Sequence, residues 1–240
     1  MNTCKQVRVS SGRRAGRSAV RRHQAASGSI CGATTDWQTK TVPYERDVQA
    51  FHDRAATYEV GWRGRMHHDI AVRTADLART FDDEPRHVLD VGCGTGLLLR
   101  LLADRLPEAQ ELVGVDAAAG MIAVANSTAN DPRLRFHNGV AENLPFPDES
   151  FDLVVSTTSF DHWEDQGAGL SECARVLAPN DHFVLTDLFS MLLVPTLLVG
   201  HRDRARTKSR AETFLKASGF RTVQWHCPYS VIIGTVVATK

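Results

Sequence analysis

One ten-residue stretch, Val88-Leu89-Asp90-Val91-Gly92-Cys93-Gly94-Thr95-Gly96-Leu97, constrains the fold of this 240-residue chain more than any other. A β-branched and leucine run, His87–Val91, ends on three spaced glycines, and a strongly helical stretch, Leu97–Leu106, follows at once. A glycine turn between strand and helix lets the backbone approach a ligand closely, and the helix amino terminus behind it favours anionic groups. The alternation then repeats. Glu111–Asp116 reads as a strand, Ala119–Asn126 as a helix, Leu134–Asn138 and Phe151–Ser156 as strands, Gly167–Leu177 as a helix and His182–Asp187 as a strand. A helix over Ala205–Ser218 is stopped by Gly219, and Phe220–His226 and Val231–Thr239 close the chain around Pro228. Strands and helices alternating through short connections predict an α/β fold. It should hold a seven-stranded, mostly parallel sheet, helices on both faces and an antiparallel last strand.

Ahead of this core, Val48, Phe51, Ala55 and Tyr58 fall on one face of a helix, which Gly61 and Gly64 are expected to break. Ile70, Thr74, Leu77 and Phe81 predict a second helix ending near Asp82. Residues 41–82 therefore read as an N-terminal helical cap and 83–240 as the ligand-binding domain. Residues 1–40, rich in Ser, Arg and Gly without apolar periodicity, read as a disordered basic tail. It could be a plain flexible extension, an organelle transit peptide or a binding arm.

Charge sharpens this division. The chain balances 28 basic against 28 acidic residues, but residues 1–35 hold seven basic side chains and no acidic one. The remainder carries 21 against 28, a net of −7. An acidic body argues against a general grip on DNA and points to a small, not strongly anionic substrate. The five cysteines are scattered and never in C-x-x-C spacing, so neither a disulfide framework nor a metal site is expected, and a reducing, cytoplasmic setting is the default. The longest greasy stretch, Leu188–Gly200, is interrupted by Ser190, Pro195 and Thr196 and falls short of the roughly 20 apolar residues that span a bilayer.

The loop also speaks about its ligand. A dinucleotide fingerprint needs G-x-G-x-x-G, but here the spacing is G-x-G-x-G and Leu97 stands where the third glycine belongs. No Lys-Ser/Thr pair follows, so it is not a phosphate-cradling P-loop. Asp90, two residues before the first glycine, would repel a pyrophosphate but suits an ammonium. Asp116, ending the next strand, can accept two hydrogen bonds from a ribose diol. Two acids and three glycines together describe a nucleoside with a cationic amino-acid tail, which fits S-adenosylmethionine.

These residues resemble the class I S-adenosylmethionine-dependent methyltransferases of the type-11 group, which includes ubiquinone and menaquinone biosynthesis enzymes. The similarity runs over roughly residues 44–226 and is tightest over 88–187. It implies a Rossmann-like sheet and a cofactor loop at Asp90, Gly92, Gly94 and Gly96. In LVGVDAAAGMI it implies Asp116 on the ribose and Ala117 and Met121 against the adenine. Gly139–Phe146 keeps the frame of the family's next segment, but Val140 replaces the usual adenine-contacting aspartate, leaving the Ala141 amide and Glu142 for that contact. Phe151–Ser156 resembles the fourth strand, placing Ser156 beside the sulfonium, and Tyr58 aligns with a tyrosine near the cofactor's carboxylate. Ala174–Pro179 is similar to the family's R-V-L-x-P-G-G turn, with Asn180 and Asp181 in place of the two glycines; both tolerate a left-handed backbone.

The implied reaction is in-line methyl transfer to a small-molecule acceptor. His162, beside Asp161 in the stretch after the fourth strand, is the candidate general base. One of His67 and His68 could face the pocket from the cap. Met191–Leu198 could wall an acceptor pocket, and the run from His201 to Lys208 could meet an acidic group. Cys93 reads as a small filler within the loop. Two other functions stay open: methylation of RNA or protein, supported by the basic amino terminus, and cofactor binding without catalysis, suggested by Val140. Leu97 and Asp90 disfavour a nicotinamide oxidoreductase.

Overall fold

The computed structural model describes residues 43–81, 84–189, 207–226 and 233–240. The basic tail 1–40, the run Met191–Leu198 and the basic stretch up to Arg206 lie outside the described residues.

Seven strands form one sheet: β1 (His87–Val91), β2 (Glu111–Asp116), β3 (Leu134–Asn138), β4 (Phe151–Thr157), β5 (Leu177–Leu188), β6 (Thr222–His226) and β7 (Ile233–Thr239). Their order is β3-β2-β1-β4-β5-β7-β6. β1 to β5 run parallel, while β7 lies antiparallel to both β5 and β6. The sheet is the one the sequence predicts. Four of the five β1 residues are buried because the strand is central and covered on both sides. Adjacent residues face opposite cores, as the two-residue period of a strand requires. Val88 packs with α2 (Gly61–Phe81), α3 (Leu97–Arg105) and α4 (Ala119–Thr128) through Ala75, Leu99 and Ile122. Leu89 packs with α5 (Gln166–Val176) and α6 (Lys208–Ala217) through Leu170 and Leu215.

The chain runs outward from β1 through β2 to β3, then crosses to β4 on the other side of β1. Crevices open at such a switch point, beyond the carboxyl ends of the strands, and ligands bind there. The glycine turn sits at this opening. Its Gly92 and Cys93 amides both donate to the Val115 carbonyl, at 2.8 and 3.0 Å, which fastens the loop to the end of β2. Gly92 has φ of +76°, and a Cβ there would stand 2.3 Å from Ser159. Gly96 has φ of +78°, and a Cβ there would stand 2.6 Å from the Phe136 ring. Both positions are closed to larger residues by backbone conformation and by space.

Three features differ from expectation. The first cap helix, α1 (Pro43–Arg54), ends before Ala55, so Ala55 and Tyr58 lie in and just after a 3₁₀ turn rather than on its face. Gly64 does not break a helix. It lies inside α2, where a Cβ would meet the Glu59 backbone, so its smallness permits close approach of the incoming loop. β5 begins five residues earlier than predicted, at Leu177. Asn180 takes a left-handed φ of +73° within it, and the register with β4 shifts between Phe151 and Leu153, which accommodates the turn-like residues in a strand.

The second cap helix also belongs to the core. Thr74 of α2, Thr186 of β5 and Thr235 of β7 are fully buried. Their hydroxyls form a chain with spacings of 2.9 and 2.7 Å, and Thr74 also donates to the Ile70 carbonyl. The chain satisfies all three polar groups while fixing α2 over the sheet. Among the described residues, no helix is long and apolar enough to cross a membrane.

Candidate functional site

At the carboxyl ends of β1, β2 and β4 a cavity opens beneath α1. Gly92 and Gly94 form its floor, Asp116 and Ala117 one end, Val140, Ala141 and Glu142 a flank, and Thr157–Ser159 with His162 the far wall. Tyr44, Asp47, Val48 and Phe51 of α1 close it from above. The cap helix is held there by Ala55, Ala118 and Met121, with Val48, Phe51 and Tyr58 packed around them. The His52 ring accepts from the Gly120 amide at 2.9 Å, which docks α1 on the amino terminus of α4.

Asp116 is tied to its surroundings by backbone. The Gly94 amide donates to one carboxylate oxygen at 2.9 Å, and the Ala118 amide to the other at 2.8 Å. Burial pushes its pKa up while the two amides pull it back. A carboxylate offers about four lone-pair sites, so one on each oxygen remains to accept the two hydroxyls of a diol.

Asp90 is different. It is 2% exposed, and one carboxyl oxygen has no hydrogen-bond partner among the described residues. Burial raises its pKa well above the carboxylate range, and the negative charge of Asp116 adds to this. Asp90 lines a recess that adjoins the main cavity, sharing Tyr58, Gly92, Gly94, Thr157 and Thr158 with it. The Thr157 hydroxyl, also buried, is likewise without a partner. Leaving buried acceptors unpaired costs about 1–3 kcal/mol each, more for a charge, and a ligand ammonium would remove that cost. The residues present therefore fit S-adenosylmethionine: Asp116 for its ribose, Asp90 for its amino-acid end and the glycine loop between them.

Tyr58, Gly92, Gly94, Asp116, Ala117, Met121, Ala141, Glu142 and His162 thus line one cavity, with Asp90 in the adjoining recess. Gly96 and Ser156 are not brought to it. Gly96 starts α3 against Phe136, and the fully buried Ser156 bonds the Ser159 hydroxyl at 2.8 Å. The wall beside the glycine loop is made instead by Thr157, Thr158 and Ser159, whose hydroxyl also donates to the Val91 carbonyl. Thr158 holds φ of +53°, a costly conformation for a β-branched residue. Glu142 accepts from the Asp165 amide at 3.1 Å, so part of its acceptor capacity is already used.

A carboxylate against His162 comes from α1. Asp47 lies 3.3 Å from Nδ1, and the ring stands edge-on to Phe51 with centroids 4.8 Å apart. Asp187, at the end of β5, fixes the turn carrying His162. Its buried carboxyl accepts from the Phe160 amide at 2.8 Å and the Leu188 amide at 2.6 Å. Burial raises its pKa to about 6, with Asp161 adding to the rise and the two amides opposing it. Of the paired cap histidines, His67 faces inward. It stacks on Tyr58 at 5.0 Å and lies 3.4 Å from the Thr158 hydroxyl, while His68 is exposed. Burial lowers the His67 pKa, and the charges of Arg54 and Arg63 lower it further. Cys93 is buried and its thiol pKa is raised, which fits a filler.

Sequence reading passed over Tyr44, Asp47 and Thr157. A signal existed for the first two: Tyr44, Asp47, Val48 and Phe51 recur at helical spacing, so the apolar face already noted carries two polar groups into the cavity. Burial and the acids Glu142, Glu164 and Asp116 push the Tyr44 pKa up to about 12, keeping it a neutral donor.

Fold, cavity and acids define a nucleoside-binding α/β protein of the methyltransferase kind, and comparison with known proteins agrees. A methyltransferase-domain family model matches residues 89–185. An uncharacterized methyltransferase of Bacillus subtilis, YcgJ, is 32% identical over 71% of this chain and 64% of its own length. The YcgJ crystal structure superposes with a TM-score of 0.56 at 31% identity, covering 65% of this chain and 70% of that one. The malonyl-[acyl-carrier protein] O-methyltransferase of Geobacter sulfurreducens is 33% identical over 73% of this chain and 70% of its own. A demethylmenaquinone methyltransferase of Deinococcus radiodurans is 39% identical over 50% of each chain. The match to the Bacillus and Deinococcus proteins thus spans between half and two thirds of their lengths. The chain belongs to the class I S-adenosylmethionine-dependent methyltransferases of the type-11 group, and S-adenosylmethionine is its cofactor.

Proposed function

We propose that this protein transfers a methyl group from S-adenosylmethionine to a small-molecule acceptor. The observation that carries this reading is that two cavities meet at one wall. The cofactor cavity shares Phe51, Tyr58, Thr158 and His162 with a second cavity of about 420 Å3 under the start of α2. A hollow of that volume suits a small molecule. Two of the relatives are named for demethylmenaquinone and for malonyl-[acyl-carrier protein], acceptors outside nucleic acid.

The cofactor supplies an electrophilic methyl group on a sulfonium. In this reading Asp116 accepts the ribose hydroxyls, Asp90 holds the ammonium, and Ala117 and Met121 lie along the base. Tyr58 and the α1 side chains exclude water, which strengthens every charge interaction beneath them. Asp47 accepts from His162 Nδ1–H, which fixes the neutral tautomer with its lone pair on Nε2. Nε2 is then the nitrogen that would take the acceptor's proton as the acceptor's nucleophilic atom bonds to the methyl carbon, the bond from that carbon to sulfur breaking to leave S-adenosylhomocysteine. Calorimetric titration of the full chain tests the cofactor side. S-adenosylhomocysteine should bind with micromolar affinity and NADH should not; the reverse would overturn the reading.

A further inference from the structure

The second cavity differs from the first in charge. Its lining includes Arg54, Arg63, Trp62, Met66 and His67 and, among the described residues, no aspartate or glutamate. The Arg54 guanidinium lies 3.9 Å over the Phe51 ring and 5.8 Å from that of Tyr58, and the Arg63 guanidinium lies 5.4 Å from the Trp62 ring. Neither has an acidic partner among the described residues, whereas Arg100, Arg105, Arg133 and Arg175 are each paired with a carboxylate. The acids nearest in sequence are engaged elsewhere: Asp53 accepts from Gln49, and Glu59 binds Arg100 and Thr95. Trp62 and Val60, 64% and 69% exposed, place bare apolar surface beside these cations.

Resting on the methyl-transfer reading, we propose that this cavity binds the acceptor as a carboxylate anion with a flat apolar body, its acid gripped by Arg54 and Arg63. Guanidinium groups laid on aromatic rings are held in plane with their donors free, and carboxylates accept from such forks in pairs. The apolar body then lies among Phe51, Trp62 and Met66, with its nucleophilic atom toward the wall of Tyr58, Thr158 and His162. The body's net charge of −7 suggests the opposite, a weakly charged acceptor. Salt screens that distributed charge within about 10 Å, so the two cations lining the cavity decide what enters it.

The test uses the full chain saturated with S-adenosylhomocysteine and titrated with 3,4-dihydroxybenzoate, benzoate and 4-hydroxybenzoate, each against its neutral amide. Intrinsic tryptophan fluorescence and calorimetry report binding. The carboxylates should bind at least about tenfold tighter than the amides, a preference of about 1.4 kcal/mol. In the R54Q/R63Q variant the preference should vanish while S-adenosylhomocysteine affinity is kept. Equal affinity for acid and amide, no binding by any carboxylate, or a preference that survives in the variant overturns the proposal. So does a variant that loses only thermal stability. Failure of S-adenosylhomocysteine to bind the unsubstituted protein would instead overturn the methyl-transfer reading itself.

Discussion

The floor of the site and its cap are built from different materials. On the floor, the groups facing the cavity and its recess are positioned by backbone: half-buried Asp116 between two amides, buried Asp90 in the central strand, and Gly92 at a left-handed turn. In the cap, the cations facing the second cavity, Arg54 and Arg63, are exposed side chains from α1 and α2 laid against aromatic rings. A floor of this kind is rigid and serves one invariant ligand. A cap of this kind can be rewritten by single surface substitutions, and in the proposed reading it is the part that selects the acceptor.

Asp116→Ala should break the comparison most severely. It removes the tie between glycine loop and β2 and, in the proposed reading, two charge-assisted hydrogen bonds to the ribose, so S-adenosylhomocysteine affinity should fall about 100- to 1000-fold by calorimetry. Next comes Asp187, a buried acid that serves the cap by fixing the turn of His162. Its folded pKa of about 6 exceeds the unfolded 3.8, so between these values the folded state keeps a proton the unfolded state has lost. Its contribution is intact below about pH 4 and is lost as pH rises through about 6, a change of about 3 kcal/mol. Asp187→Asn should therefore gain melting temperature over the unsubstituted protein from pH 4 to pH 7, by roughly 6–12 °C. A constant difference across that range would remove Asp187 as a titrating group.

In the proposed reading His162 acts on the acceptor, so His162→Gln should lower turnover about 100-fold while changing S-adenosylhomocysteine affinity far less. Unchanged turnover would reject His162 as base. The smallest effect is expected at the latch between the regions. Glu59 accepts from the Thr95 hydroxyl at 2.5 Å and from Arg100 at 2.7 Å, joining the α1–α2 connection to the glycine loop. At 38% side-chain exposure for Glu59 this pair is worth no more than about 1 kcal/mol, so Glu59→Gln should shift the melting temperature by a few degrees at most.

The contrast between floor and cap also explains what could be read from sequence. β1, β2 and β3 have the predicted boundaries because Val88–Val91, Leu112–Val115 and Leu134–Phe136 are short apolar runs closed by glycine or acid. The floor residues followed because glycines and acids at fixed offsets on consecutive strands are local features. β5 was foreshortened because Pro179-Asn180-Asp181 has turn chemistry, which the sheet overrides. Gly64 misled because a glycine inside a helix looks the same whether it breaks the helix or admits a neighbour. The contact between His162 and Asp47 could not be found locally, since the two are 115 positions apart. Arg63 stands beside the cap break in the sequence, but nothing there marks Arg54 or Arg63 as a ligand group; what distinguishes them is the absence of acids among the described residues lining the second cavity, a property of the fold.

The central claim is that the two cavities jointly move a methyl group onto a small molecule. Incubating the full chain with methyl-labelled S-adenosylmethionine and a metabolite extract, with mass spectrometry of small-molecule, RNA and protein fractions, tests it most directly. The account predicts a labelled small molecule whose formation disappears in Asp116→Ala and drops about 100-fold in His162→Gln. Label found only in RNA or protein, or in no fraction while S-adenosylhomocysteine still binds, would contradict it.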